Sequence, residues 1–255
     1  MLQFVVTPAS GKRIIGRAVV QHAAVQSALH SGTIVVVAGT TNGYVAEELL
    51  SLLDQSHDFC RQRFFRGITL PPSSATTKEG RLPDESQFPG DVVTINGKWH
   101  RGKTIFDVVD DLKEGDVILK GANAVNLAQK QAGILIGHPK GGTIAAALQA
   151  AVGRRVHLIL PVGLEKRVST EIHELAARLN VPGAHGPRIF PVYGEIITEI
   201  EALALLTGVK TELTAAGGVC GAEGAVWLTV NGTPQQEQAA KNLMASVGHE
   251  LPFTL

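Results

Sequence analysis

The sequence predicts an α/β protein whose core is a parallel β-sheet, for three reasons. Short continuous apolar runs, such as TIVVVA at 33–38, have the composition of strands that helices cover on both faces. Segments with apolar residues at the helical period lie between these runs. Gly-rich turns join the two kinds of segment, so that strands alternate with helices at short spacing. This alternation indicates a Rossmann-like main domain, which we place at residues 1–188.

The helices and strands of this domain can be assigned one by one. A helix is predicted over 12–31, because its apolar residues follow the helical period and Gly32 provides a stop. Asn96-Gly97 is the dipeptide typical of a type I′ hairpin. The stretch 57–90 is long and has no period, which indicates either a mobile lid or a solvated excursion. The other elements are expected as follows: strand 33–38, helix 44–56, a short helix near 104–113, strands in GDVILKG and AGILIGHPKGG, a helix in TIAAALQAA, a strand in RVHLILPVG and a helix in VSTEIHELAARL.

A change in composition near residue 188 predicts a second, smaller domain over 189–255. The segments that follow have the patterns of strand, helix, strand, strand and helix, in that order. This order is typical of the split β-α-β unit of a ferredoxin-like α+β plait. We expect the plait to pack against the main domain or to serve association, which makes a homo-oligomer one of the expected states.

Composition excludes several classes of function. Lys and Arg total 23 and Asp and Glu total 23, so the chain has no overall field that would attract nucleic acid or a membrane. No apolar stretch approaches the roughly 20 residues of a membrane-spanning helix, and the N-terminal segment does not have the pattern of a targeting signal. Cys60 and Cys220 lie far apart, which indicates a reducing cytoplasm rather than a disulfide framework. The histidines show no metal-ligand spacing, so we expect neither a metal nor another cofactor.

Three Gly-rich turns are expected at the carboxyl ends of strands, where open parallel sheets bind their ligands. These turns are Gly39–Gly43, Gly121–Asn126 and Gly137–Thr143. The first and third lead into helices, whose N-termini attract anions, and nearby lysines add charge. The alternative is that the glycines only form tight turns, with Thr41 or Asn42 capping a helix. The ligand-binding candidates are Gly39, Thr40, Thr41, Asn42, Gly43, Lys120, Gly121, Asn123, His138, Gly141, Gly142 and Thr143.

Glu165 and Lys140 are the catalytic candidates. Glu165 follows the strand in LILPVG, and we expect it on the same side of the sheet as the three turns. Carboxylates act in proton transfer or as covalent nucleophiles, although a surface charge in the first turn of a helix is the simpler explanation of Glu165. Lys140 is expected to reach the same pocket as Lys120, where the two cations would bind a dianion such as phosphate.

Residues 11–50, GKRIIGRAVVQHAAVQSALHSGTIVVVAGTTNGYVAEELL, resemble the opening of the superfamily of ribose-5-phosphate isomerase, glucosamine-6-phosphate deaminase and the CoA transferases. In that superfamily a helix precedes a strand, a phosphate-binding turn and a second helix. The segments 116–126, 137–143 and 158–166 are similar to the segments that follow. The resemblance covers about residues 12–168 as a pattern. It implies a site for a phosphorylated or CoA-like anion.

Departures from the superfamily leave the function open. Asn123, Ala124 and Asn126 stand where the isomerases carry catalytic carboxylates, and Thr41 replaces a glycine of the phosphate turn. An amide cannot take a proton from a sugar carbon at neutral pH, so isomerisation lacks its base at this turn. The CoA transferases use a glutamate as nucleophile, but in a different Gly-rich context from that of Glu165. We therefore keep two hypotheses: an enzyme that acts on a phosphorylated or CoA-like small molecule, and a ligand-sensing module that has lost the catalytic carboxylates.

Overall fold

The structure is a computed structural model that describes residues 1–67, 69–75, 77, 81 and 88–253. Its strands are β1 (Leu2–Val6), β2 (Thr33–Val36), β3 (Val92–Ile95), β4 (Lys98–Trp99), β5 (Val117–Leu119), β6 (Ala124–Asn126), β7 (Gln131–Ile136), β8 (His157–Pro161), β9 (Arg188–Val192), β10 (Glu195–Ile197), β11 (Lys210–Ala216) and β12 (Val226–Asn231). Its α-helices are α1 (Pro8–Gln21), α2 (Ala23–Ala28), α3 (Thr40–Leu52), α4 (Gly142–Arg154), α5 (Ile172–Leu179), α6 (Glu199–Thr207) and α7 (Pro234–Val247). Short 3-10 turns lie at Arg61–Arg63, Ile105–Asp107, Val109–Asp111 and Leu164–Lys166.

The central sheet has six strands in the order β10-β8-β5-β2-β3-β4. The first four are parallel to one another, and the β3–β4 hairpin extends the sheet in the antiparallel sense. The prediction of an α/β fold with a parallel sheet is therefore confirmed. Because the four strands are parallel, the carboxyl ends of β2, β5, β8 and β10 meet at a single edge.

Helices cover both faces of this sheet. Ile34 and Val36 of β2 join a core that includes α1, α3 and α6, whereas Val35 and its neighbour Ile118 on β5 join a second core with α4. Side chains alternate between the two faces along a strand, so each face requires its own apolar residues. This two-sided burial explains why the sequence of β2 is a continuous apolar run.

Two smaller antiparallel sheets complete the fold, in the orders β1-β12-β11 and β6-β7-β9. Strand pairing crosses residue 188 in all three sheets, because β1 pairs with β12, β7 with β9 and β8 with β10. The expected ferredoxin-like plait over 189–255 is thus not formed by that segment alone. In this segment β9, β10 and β12 pair with strands from the first part of the chain, and β11 pairs with β12.

Three local predictions can be compared with the structure. The helix expected over 12–31 is interrupted at His22, whose extended backbone (ψ 136°) ends α1 and whose ring nitrogen accepts the Ala24 N–H at 3.3 Å. The hairpin at Asn96-Gly97 is confirmed, with φ of +50° and +76° as a type I′ turn requires. The predicted lid or excursion within 57–90 falls partly on residues outside the described ranges.

The boundary that matters most for function is the start of α3. We expected this helix from residue 44, but it begins at Thr40, and the Gly43 N–H donates to the Gly39 carbonyl at 2.8 Å. The Gly-rich turn is therefore the first turn of the helix itself. Among the helices of the described residues, none is long and apolar enough to cross a membrane.

Candidate functional site

The turn from β2 into α3 leaves an open helix N-terminus at the carboxyl edge of the parallel sheet. Gly39 is the N-cap, and no side chain of the described residues caps the helix. A Cβ atom added at Gly39 would have no described atom within 4 Å, so the space beside the turn is free. The first amide groups of a helix have no intrahelical acceptor and carry a partial positive charge. This turn can therefore receive an anion.

Asn42 has a structural function in the same turn. Its Nδ2 donates to the carbonyl oxygens of Val37 at 2.8 Å and Leu119 at 2.9 Å, which ties the end of β2 to the end of β5. The side chain is fully buried, and its Oδ1 has no hydrogen-bond partner among the described residues. An amide oxygen is an acceptor, so this atom suits a ligand hydroxyl or amino group rather than an anion.

Two lysines that lie at the ends of neighbouring parallel strands bring positive charge to this edge. Lys120 follows β5 and donates to the Gly121 carbonyl at 3.1 Å, and Lys166, in the 3-10 turn after β8, donates to Thr41 Oγ1 at 3.3 Å. Within the described part of the chain, neither ammonium group has a carboxylate at ion-pair distance. Burial, together with the charges of Arg66 and Lys166, lowers the pKa of Lys120 to about 8. Burial also lowers the pKa of Lys166.

Arg66 reaches this region because a buried carboxylate anchors it. Asp91, which precedes β3, accepts the Ala38 N–H at 2.8 Å, the Ile105 N–H at 2.8 Å and the Arg66 guanidinium at 2.9 Å. The Asp91 side chain is 0% exposed, so a buried charge is compensated by three donors. Arg66 therefore brings a third cation close enough to affect Lys120.

Two carboxyl groups lie close enough to Lys166 for their charges to affect it. Glu199, the first residue of α6, is buried, and its Oε2 accepts the Leu164 N–H at 2.9 Å. Glu165 lies 3.4 Å from the Lys12 ammonium, but neither of its oxygens has a hydrogen-bond partner among the described residues. Burial, and after it the charge of Glu165, raises the pKa of Glu199 to about 8. Burial and the neighbouring acid therefore favour the protonated form of Glu199.

Two glycines make room for this carboxyl pair. A Cβ atom at Gly11, in the first turns of α1, would lie 2.2 Å from Oε1 of Glu199. A Cβ atom at Gly163, after β8, would lie 1.9 Å from Oε2 of Glu165. Since no real Cβ approaches an oxygen this closely, the absence of a side chain at both positions permits the buried arrangement.

The third predicted turn lies elsewhere, which corrects our expectation that all three turns share one sheet edge. Residues 137–143 follow β7, and β7 belongs to the antiparallel sheet β6-β7-β9. Lys140 is exposed, its backbone N–H donates to the ring of His138 at 3.1 Å, and Gly141 caps α4 with a φ of +79°. The glycines of this turn are thus explained by its backbone conformation. Lys140 and Lys120 thus follow strands of different sheets.

The second predicted turn contributes only its start to the carboxyl edge. Lys120 and Gly121 lie there, but the chain then enters β6 rather than a helix. Asn123 Oδ1 accepts the Leu135 N–H at 3.0 Å, and Asn126 Nδ2 donates to the carbonyls of Ser169 and Thr170 at 3.2 Å. Asn123 thus holds the start of β6 against β7, and Asn126 holds the loop before α5.

Reasoning from the sequence missed five members of this site: Lys12, Arg66, Asp91, Lys166 and Glu199. Lys166 had a usable signal, because it is the neighbour of the candidate Glu165 at a strand end. Glu199 had none, since its segment was assigned to the separate plait. Comparisons of the chain with protein-family models, with curated proteins and with solved structures found no match. The described residues contain no group of three or more His, Cys, Asp or Glu that could hold a metal ion.

Proposed function

We propose that the chain binds a small molecule through a phosphate group, as in a phosphorylated metabolite or a CoA-like ester, at the carboxyl edge of the parallel sheet, and that it transfers protons to and from this molecule. The observation that carries the proposal is the position of Lys120 and Lys166. Lys166 donates to Thr41 in the first turn of the uncapped helix α3, and Lys120 lies close enough to Lys166 to be affected by its charge. Neither ammonium group has an ion-paired carboxylate in the described part of the chain.

Electrostatics favour an anion in this position. Besides burial, the charges of Arg66 and Lys166 lower the pKa of Lys120, so the three cations repel one another. A dianion such as phosphate relieves this repulsion and accepts hydrogen bonds from the ammonium groups and from the first amides of α3. The open space beside Gly39 is free to receive it.

The carboxyl pair supports an enzyme rather than a binding module alone. Glu165 lies at ion-pair distance from Lys12, whereas burial and the charge of Glu165 raise the pKa of Glu199. Two carboxyl groups that differ in this way can act as base and acid. They provide an acid and a base, whereas the amides of Asn123 and Asn126 provide neither.

Thermal melts with inorganic phosphate test the binding site. Phosphate is expected to raise the melting temperature of the wild-type protein above that in sodium chloride of the same ionic strength, because it binds the folded state. Gly39→Val places a side chain in the free space without contacting described atoms closely, so the variant is expected to fold and to lose the phosphate effect. Equal stabilisation of both proteins, or of neither, would exclude this turn as the site.

Proton exchange tests the catalytic part. Dihydroxyacetone phosphate and related phosphorylated carbonyl compounds, incubated with the protein in D2O, are expected to exchange a carbon-bound proton in NMR spectra. Glu165→Gln is expected to abolish exchange and to keep the phosphate-induced thermal stabilisation. Stabilisation of the wild-type protein without exchange of any substrate would favour the alternative, a ligand-sensing module.

A further inference from the structure

We infer that the Lys120 amine acts as a nucleophile and forms an imine with a carbonyl group of the bound molecule. The substrate class is then a phosphorylated aldehyde or ketone. This inference rests on the proposed function, since the phosphate site places the carbonyl group. It is carried by what surrounds Lys120 and by the free space next to it.

The surroundings of Lys120 make its neutral amine more available than that of an ordinary lysine. Asp91 is the acid whose charge most favours the ammonium form, but its two oxygens already accept hydrogen bonds from Ala38, Ile105 and Arg66. The single hydrogen bond of the Lys120 side chain in the described chain, to the Gly121 carbonyl, can be made by a neutral amine as well as by an ammonium group. Burial, and after it the neighbouring cations, make Lys120 lose its proton more readily, which lowers its pKa to about 8.

The other lysines of the site engage polar side chains. Lys12 lies 3.4 Å from the Glu165 carboxylate. Lys166 donates to Thr41, and the charges of Glu165 and Glu199 partly offset the effect of its burial. Lys120 is thus the lysine of this site that is best suited to nucleophilic attack.

A carbonyl compound can reach Lys120. The side chain is partly exposed, and it follows a strand at the same sheet edge as the phosphate turn. A Cβ atom at Gly121 would meet only the Pro161 carbonyl oxygen, at 3.9 Å, among the described atoms, and one at Gly39 would meet none. Both neighbouring glycines therefore leave room for a ligand.

The step is balanced without a further reagent. The nitrogen lone pair of Lys120 attacks the carbonyl carbon, and the electrons of the carbonyl double bond move to oxygen. Both N–H protons then pass to this oxygen, which leaves as water while the C=N bond forms. The neutral imine nitrogen then takes one more proton from the solvent, and the positive charge of the resulting iminium ion acidifies the adjacent C–H bond, which links this step to the proton transfer by the carboxyl pair.

Reductive trapping tests the inference. Dihydroxyacetone phosphate and sodium cyanoborohydride are added to the full-length protein, and the modified lysine is identified by peptide mass spectrometry. One adduct on Lys120 is expected, and an excess of inorganic phosphate should suppress it in the wild-type protein. Lys120→Arg should lose the adduct, whereas Lys140→Arg, which changes an exposed lysine, should keep it.

The outcomes separate this inference from the proposed function. Adducts spread over surface lysines, or an adduct on Lys120 that phosphate does not suppress, would overturn the imine. If phosphate stabilises the protein in melts but Lys120 remains unmodified, the imine is wrong and the anion site stands. If phosphate does not stabilise the protein, the anion site itself is wrong. The competition experiment uses the wild-type chain, so it still tests the imine if Lys120→Arg fails to fold.

Discussion

The turns 39–43 and 137–143 have the same local design but different surroundings. Each is rich in glycine and threonine and leads into an α-helix. The first follows a parallel strand, and Lys166 from another strand end donates to its Thr41. The second follows an antiparallel strand, and its own Lys140 is exposed. A Gly-rich turn thus becomes a candidate site through the groups that other strand ends bring to it, and the predictions below test this difference.

The largest effect is expected for Glu199→Gln. The folded-state pKa of about 8 lies above the ordinary value of 4.5, so the native protein keeps a proton that the unfolded chain loses between these pH values. Wild-type stability should therefore fall as pH rises through this window. Glutamine stays neutral, and the variant should exceed the wild type by an amount of order 3–5 kcal/mol above pH 8.

Urea unfolding at pH 5 and at pH 8.5 measures this difference. Glu174→Gln, on the exposed face of α5, is the control and should change stability by no more than about 0.5 kcal/mol at either pH. If Glu199→Gln and the wild type lost stability in parallel as pH rises, Glu199 would not hold the extra proton.

The next effect concerns phosphate affinity. Lys166→Met keeps most of the side-chain volume but removes the charge and the hydrogen bond to Thr41. A hydrogen bond to a charged group contributes about 1.5–3 kcal/mol, so the dissociation constant for phosphate should rise about 10- to 100-fold. Isothermal titration calorimetry at constant ionic strength measures it. An unchanged constant in the variant would remove Lys166 from the site.

Gly11→Ala should destabilise the protein, although alanine is the better helix former. The new Cβ would lie 2.2 Å from Oε1 of the buried Glu199, which has little room to move. Overpacking of this kind reduces stability by about 1–3 kcal/mol. Gly153→Ala in α4 is the matched control, because its Cβ would have no described atom within 4 Å, and it should stabilise by about 0.5–1 kcal/mol. Denaturant unfolding that gave both variants the same sign would contradict the packing of Glu199 on α1.

The smallest effect is expected for Lys140→Ala. The side chain is exposed and lies in a turn that follows the antiparallel strand β7. Its loss should change neither stability nor phosphate affinity by more than about 0.5 kcal/mol. Thermal melts with and without phosphate check both quantities, and a clear loss of phosphate stabilisation would return residue 140 to the site.

The sequence predicted the parallel sheet because that information is local. The continuous apolar run of β2 reports burial on two faces, and Asn96-Gly97 reports backbone dihedral angles. Sheet membership is not local. The run in β7 resembles that in β2, yet β7 pairs with β6 and β9 in another sheet. Likewise, the order of elements after residue 188 matched a plait, although β10 extends the central sheet.

As with the fold, only the part of the candidate site that is encoded locally could be predicted. Glu165 and the turn 39–43 are marked by their positions after apolar runs, and the structure places them near the same sheet edge. Glu165 lies near Glu199 only because β10 pairs with β8, which brings the start of α6 next to the end of β8. Arg66 is positioned by the buried Asp91, a contact over 25 residues that no spacing pattern indicates.

A phosphate titration followed by two-dimensional NMR of backbone amides compares the two turns directly. Binding at the carboxyl edge should give saturable shifts that are largest at Thr40, Thr41, Gly121 and Lys166. The amides of residues 137–143 should remain unchanged and serve as an internal control. Shifts concentrated at 137–143, or shifts that do not saturate at either turn, would contradict the assignment of the anion site to the carboxyl edge of the parallel sheet.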